Sequence, residues 1–154
     1  MNLKNYTSGI STDVTISRIE RLLMDAGATG IMKRTANRSV VAIAFQIPVD
    51  KDRLVTVQLP ANAEACMDAF WKDHCSGRSL RSKKTREDFR DQSERTAWKL
   101  QQDWVEVQLS LIRLKQQDVV AAFLPHIVTD LNGSTVYEKM KSNGFKALLP
   151  EKAS

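Results

Sequence analysis

The residues best placed to do chemistry in this sequence are five cations within nine positions: Arg78, Arg81, Lys83, Lys84 and Arg86, with no acid among them. The formal net charge is +5, so this segment accounts for the whole excess and the rest of the chain is balanced. A local excess of that kind is the footprint of an electrostatic contact rather than of general solubilisation. Nucleic-acid phosphates accept lysine and arginine without demanding fixed geometry, so an irregular basic loop is chemically sufficient. Lys33, Arg34 and Arg38, around an expected hairpin turn, extend the patch. Single strands also gain from aromatic platforms on which bases stack, and Trp71 and Phe89 flank the loop. The plainer alternative is a solvated charged loop with no ligand, which is what many charge runs are.

Other reactive residues point nowhere in common. Cys66, His74 and Cys75 lie close in sequence, but their spacing matches no common zinc site and a fourth ligand is missing. Asp103 and Glu106 stand one helical turn apart and are interleaved with Lys99, Gln102 and Ser110, as on a solvated helix face. His126 follows Pro125 with no nucleophile or orienting acid beside it. There is no phosphate-cradling glycine motif, nucleophile elbow or zinc-protease helix. The expectation is a non-enzymatic protein with no catalytic residue, no metal and no cofactor.

The basic loop must be held by the elements around it, and the largest is a helix expected from about Arg86 to Gln117. Ala97, Leu100, Trp104, Val107, Leu111 and Leu114 recur in steps of three and four and form one stripe. Trp98, Val105, Leu109 and Ile112 form a second stripe beside it. Two adjacent stripes make a face wider than a coiled-coil seam. Trp98 and Trp104 lie at its opposed edges; the plain reading of both is core packing, and the sharper one makes them, with Val107 and Leu111, the expected interface of a homo-oligomer.

Upstream, a helix is expected from Thr15 to Ala26, with Ser17 and Glu20 at capping-box spacing, Thr15 as the alternative cap and Gly27 as its stop. Val41, Ile43, Phe45 and Ile47 alternate within Ser39–Ile47, and Val55, Val57 and Leu59 within Leu54–Leu59. These read as an antiparallel hairpin with one buried face, to which Ile31–Thr35 adds a strand through the Asn37-Arg38 turn. Asn62 is the expected cap of a helix reaching about His74. Residues 76–85 then break every periodicity and are expected to form a mobile basic loop. Short helices are expected at Val119–Leu124 and Ser134–Ser142, the latter capped by Ser134. Residues 1–12 are expected to give a short edge strand around Tyr6 or nothing ordered. Phe145–Pro150 is expected to dock back on the body.

The sum is one α+β domain over residues 1–154: a small antiparallel sheet of two to three strands, flanked by helices, with one long helix in the C-terminal half. With 154 residues and 42% hydrophobic content the chain can bury a sizeable core. No apolar run approaches the roughly 18 residues of a membrane span, and the polar first residues are no secretory signal. With only two cysteines, this points to the cytoplasm.

Taken together, several runs resemble those of a group of small, largely uncharacterised phage and prophage proteins. They are the helix Ile16–Ala26 followed by Gly27-Ala28-Thr29, the strand ending Gln58-Leu59-Pro60, and the run from Arg95-Thr96-Ala97-Trp98-Lys99 to Ile112. Phe123-Leu124-Pro125-His126-Ile127-Val128 and the closing Leu148-Leu149-Pro150 complete the set. The resemblance implies a phage-type protein of the host cytoplasm, working in replication or recombination. The order helix, antiparallel strands, helix is also similar to the core of phage single-strand annealing proteins, a likeness of fold and not of function. The expected function is therefore single-stranded nucleic-acid binding. The alternative is an inhibitor of host defence that acts by protein contact or by sequestering small nucleotide signals.

Overall fold

Alternation from Ser39 onward builds the strand at the centre of the molecule. The computed structural model describes residues 1–77 and 83–152. Strands β1 (Thr29–Ala36), β2 (Ser39–Pro48) and β3 (Leu54–Pro60) form an antiparallel meander in the order β1-β2-β3. Ile43, Phe45 and Ile47 of β2 stand opposite Leu59, Val57 and Val55 of β3, so one face of the sheet is apolar and covered. The β1–β2 turn is Asn37-Arg38, with φ of 49° and 66°. Two successive left-handed residues are what a two-residue hairpin needs to follow the strand twist.

Helix α1 runs Thr12–Asp25 and turns Ile16, Ile19 and Leu23 inward. Ala28 and Gly27 N–H donate to the Leu23 and Met24 carbonyls, both at 2.9 Å. Gly27 can close that motif because its φ is 88°. The start corrects the expectation: Ser11 is the N-cap, and Thr15 lies fully buried inside the helix. Helix α2 runs Ala63–Ser76, and the Asn62 side chain accepts the Ala65 N–H at 3.0 Å, as its cap residue should. A 3-10 turn over Arg86–Phe89 leads into α3, Arg90–Arg113. The long helix thus ends before Gln117. Lys115 turns left-handed at φ 57°, and the N–H of Gln116 closes on the Leu111 carbonyl.

Helix α3 packs on α1 and α2, and its two apolar stripes have different fates. Trp98 and Val105 are buried, while Leu109 and Ile112 pack against the core. In the other stripe Ala97 is buried and Trp104 leans on Phe123, but Val107 is 55% and Leu114 67% exposed. Trp98, expected at a subunit interface, is corrected to a core residue. It is 1% exposed, and its indole N–H donates to the Val40 carbonyl at 3.1 Å.

The N-terminal residues form no strand. They lie along α3 because its side chains supply the partners that a sheet would otherwise give. Gln92 donates to the Tyr6 and Ser8 carbonyls at 2.8 and 3.2 Å, Arg95 to Ser8 at 3.1 Å, and the Thr96 hydroxyl to Asn5 at 3.1 Å. Asp103 anchors the same segment through Lys4 and Asn5 and is also paired with Lys99 at 2.9 Å. Burial alone would raise the Asp103 carboxyl, but the donors Asn5, Lys4 and Lys99 outweigh it and hold the group well below the usual carboxylate range. A depressed carboxylate adds stability that is complete above its unfolded pKa of about 3.9 and is lost as pH falls toward the folded value. Amide protection of residues 3–8 is therefore expected to fall below about pH 4, ahead of global unfolding. Asp103→Asn should remove that step. Protection that stays constant down to global acid unfolding would count against it.

After α3, helix α4 (Val119–Phe123) is capped by Asp118, and a 3-10 turn spans Leu124–His126. Val128 N–H then donates to the Thr56 carbonyl at 2.8 Å, adding a short bridge to the β3 edge. Helix α5 (Val136–Ser142) is capped by Thr135, with Glu138 completing the box, one residue later than expected. Of the tail, Phe145 meets Tyr137 at 5.9 Å, whereas Leu148 and Leu149 stay exposed. Among the described residues no helix is long and apolar enough to cross a membrane.

Candidate nucleic-acid interface

The last turns of α2 and the 3-10 turn before α3 bring four rings together. Trp71 and His74 are three residues apart, so they share a helix face and lie 5.6 Å apart. Phe89 stands 5.5 Å from His74 and 6.5 Å from Trp71, and stacks nearly parallel on the buried Phe70 at 6.1 Å. Trp71, His74 and Phe89 are each half-buried, so the core holds one side of the cluster and solvent meets the other. The two aromatics that sequence places beside the basic loop do converge. His74 joins them and was read only as a metal-ligand candidate; its i, i+3 spacing from Trp71 was the available signal.

Lys84 lies at the edge of this cluster, and Lys83 precedes it in sequence. The Lys84 ammonium sits 5.6 Å from the centre of the Phe89 ring, and both lysines are exposed. Arg78 and Arg81, with half of the expected loop, lie outside the described residues. Arg86 is engaged by carboxylates nearer the start of α2. Its guanidinium donates to Glu64 at 2.9 Å and Asp68 at 2.7 Å, which are one turn apart on α2. Arg90 donates to Glu64 at 3.2 Å and also pairs with Glu87. Hydrogen bonds from Arg86 and then Arg90 hold Glu64 below its ordinary pKa, and Glu64 and Asp68 raise Arg86. These pairs are exposed and add little stability, but they employ the Arg86 charge. Arg86 therefore clips the 3-10 turn to α2, which corrects its reading as a free phosphate contact.

The accessory cations divide as well. Adjacent strand residues face opposite sides, and Lys33 pairs with Glu20 of α1 at 2.9 Å. Arg34 lines a groove of about 360 Å³ that includes Asn62, Glu64 and Arg90, so it lies on the Arg86 side of the molecule. It also lines a second groove of about 730 Å³ with Gln58, His126 and Tyr137. Arg38 is exposed at the hairpin tip. Burial disfavours the charged imidazolium and lowers the pKa of His126. It contacts Trp104 edge-on at 5.4 Å.

Comparison with protein-family models, with curated proteins and with solved structures gives no match. Chemistry at this surface must therefore be argued from its own side chains. Cys66 is buried, which raises its thiol, and Cys75 is exposed. Among the described residues no three of His, Cys, Asp or Glu come together to hold a metal ion.

Proposed function

We propose that this chain binds single-stranded nucleic acid without transforming it, as a phage-type protein of replication or recombination. The carrying observation is the half-buried cluster Trp71, His74 and Phe89 with Lys84 at its edge and Lys83 next to it in sequence. Rings with one open face accept bases of any sequence, and neighbouring ammonium groups accept the phosphates between them. Arg78 and Arg81 supply two further cations in the adjoining sequence, and Arg34 and Arg38 extend the contact along the β1–β2 hairpin. Lys33 and Arg86 are committed to carboxylates and act as supports.

Fluorescence anisotropy with labelled single-stranded DNA of increasing length, at two salt concentrations, tests the reading. Affinity should rise with length and fall with salt, because each phosphate contact releases a counterion. Absence of binding at low salt overturns it. The groove of about 730 Å³ beside Arg34 favours one competing reading, capture of a small nucleotide. Mononucleotides binding as tightly as long strands would select that reading instead.

A further inference from the structure

Helix α3 leaves part of its apolar surface uncovered, and the pattern of what is uncovered is specific. Leu100, Trp104, Val107, Leu111 and Leu114 follow one another at steps of four, three, four and three. That is the a/d period of a helix facing another helix. The chain's own core takes the neighbouring stripe, Trp98, Val105, Leu109 and Ile112, and of the a/d stripe it packs only Ala97 and Trp104. Leu100, Trp104 and Val107 floor an apolar trough of about 490 Å³, rimmed by Lys4, Asp103 and His126.

We propose that the trough is filled by α3 of a second copy of this chain, running antiparallel about a two-fold axis near Val105 and Glu106. In that register Leu100 meets the partner's Leu111, and Trp104 meets the partner's Val107. Large side chains then face small ones and interdigitate. A parallel pair would set Trp104 against the partner's Trp104 and overfill that layer. The flanking residues are compatible with the same arrangement. Gln101 and Gln108, which flank the stripe, face each other's partner copies without charge. A closed, self-complementary pair of this kind is the commonest form of homo-oligomer. The surface is separate from the aromatic cluster, so the inference stands or falls independently of nucleic-acid binding.

Two measurements test it on the full chain. Light scattering should give twice the chain mass for the unaltered protein, and the single-chain mass for Val107→Glu with an unchanged circular-dichroism spectrum at 25 °C. Val107 is exposed in the single chain, so its substitution should leave the fold intact. A single-chain mass for the unaltered protein from micromolar to millimolar concentration overturns the proposal. The register is read by disulfide trapping in a Cys75→Ser background. Leu100→Cys and Leu111→Cys chains should cross-link when mixed and oxidised, and neither should cross-link alone. Efficient cross-linking of either variant by itself would show a parallel pair and overturn the arrangement.

Discussion

Trp98→Ala is expected to lower the folding stability by about 3–5 kcal/mol, the largest loss from any single truncation in this chain. The indole is 1% exposed and lies within the main core cluster. Removing it opens a cavity between α3 and the sheet, and it also leaves the Val40 carbonyl without the 3.1 Å donor that ties β2 to α3. A typical domain has only about 5–15 kcal/mol in hand, so the variant should sit close to the unfolding threshold. Trp98→Phe separates the two effects. It keeps most of the volume, loses the donor and should cost about 1–2 kcal/mol. Urea unfolding monitored by circular dichroism measures both. The loss should be the same at low and high protein concentration, because Trp98 serves the single chain. A loss that appeared only at low concentration would return Trp98 to a subunit interface.

Replacing Arg78, Arg81, Lys83, Lys84 and Arg86 together by Ala should abolish most single-strand binding and nearly flatten its salt dependence. The individual contributions should be unequal. Each single-strand phosphate contact contributes roughly 0.7 to the slope of log affinity against log salt, so Lys83→Ala with Lys84→Ala should reduce the slope by roughly 1.4. Arg86→Ala should leave the slope where it was, because the guanidinium is already held by Glu64 and Asp68. Trp71→Ala should act in the opposite manner, weakening binding by about 1–3 kcal/mol at an unchanged slope, since stacking releases no counterions. Anisotropy titrations over a range of salt separate these outcomes. If Arg86→Ala alone flattened the slope as much as the lysine pair, the ion pairs would have to open on binding and the assignment would be wrong.

Local pattern made the sheet and the α2 cap legible. Alternation in β2 and β3 identified the buried face through Ile43, Phe45, Ile47, Val57 and Leu59, and Asn37-Arg38 marked the turn. What escaped depends on contacts distant in sequence. Periodicity finds both apolar stripes of α3 but cannot choose the one that meets the sheet, and that choice sends Trp98 inward and leaves Val107 outside. The N-terminal residues have no pattern of their own; they are ordered by Gln92, Arg95, Thr96 and Asp103. Counting charges along residues 78–86 likewise hides the partners of Arg86, which lie 18 and 22 positions upstream. The aromatic cluster was half legible. Trp71 and Phe89 were visible as neighbours of the loop, but only folding shows that they share one surface with His74.

The clasp that α3 closes over the N-terminal residues also orders events in time. Lys4 and Asp103 are 99 positions apart, so residues 3–8 leave the ribosome long before anything that can hold them. By then the three strands, whose pairing is local, have all emerged and are free to form the sheet. Closing so long a loop costs little more than closing a short one, yet it must wait for translation to reach α3. Residues 3–8 therefore stay open to proteases and modifying enzymes until α3 has emerged and can hold them.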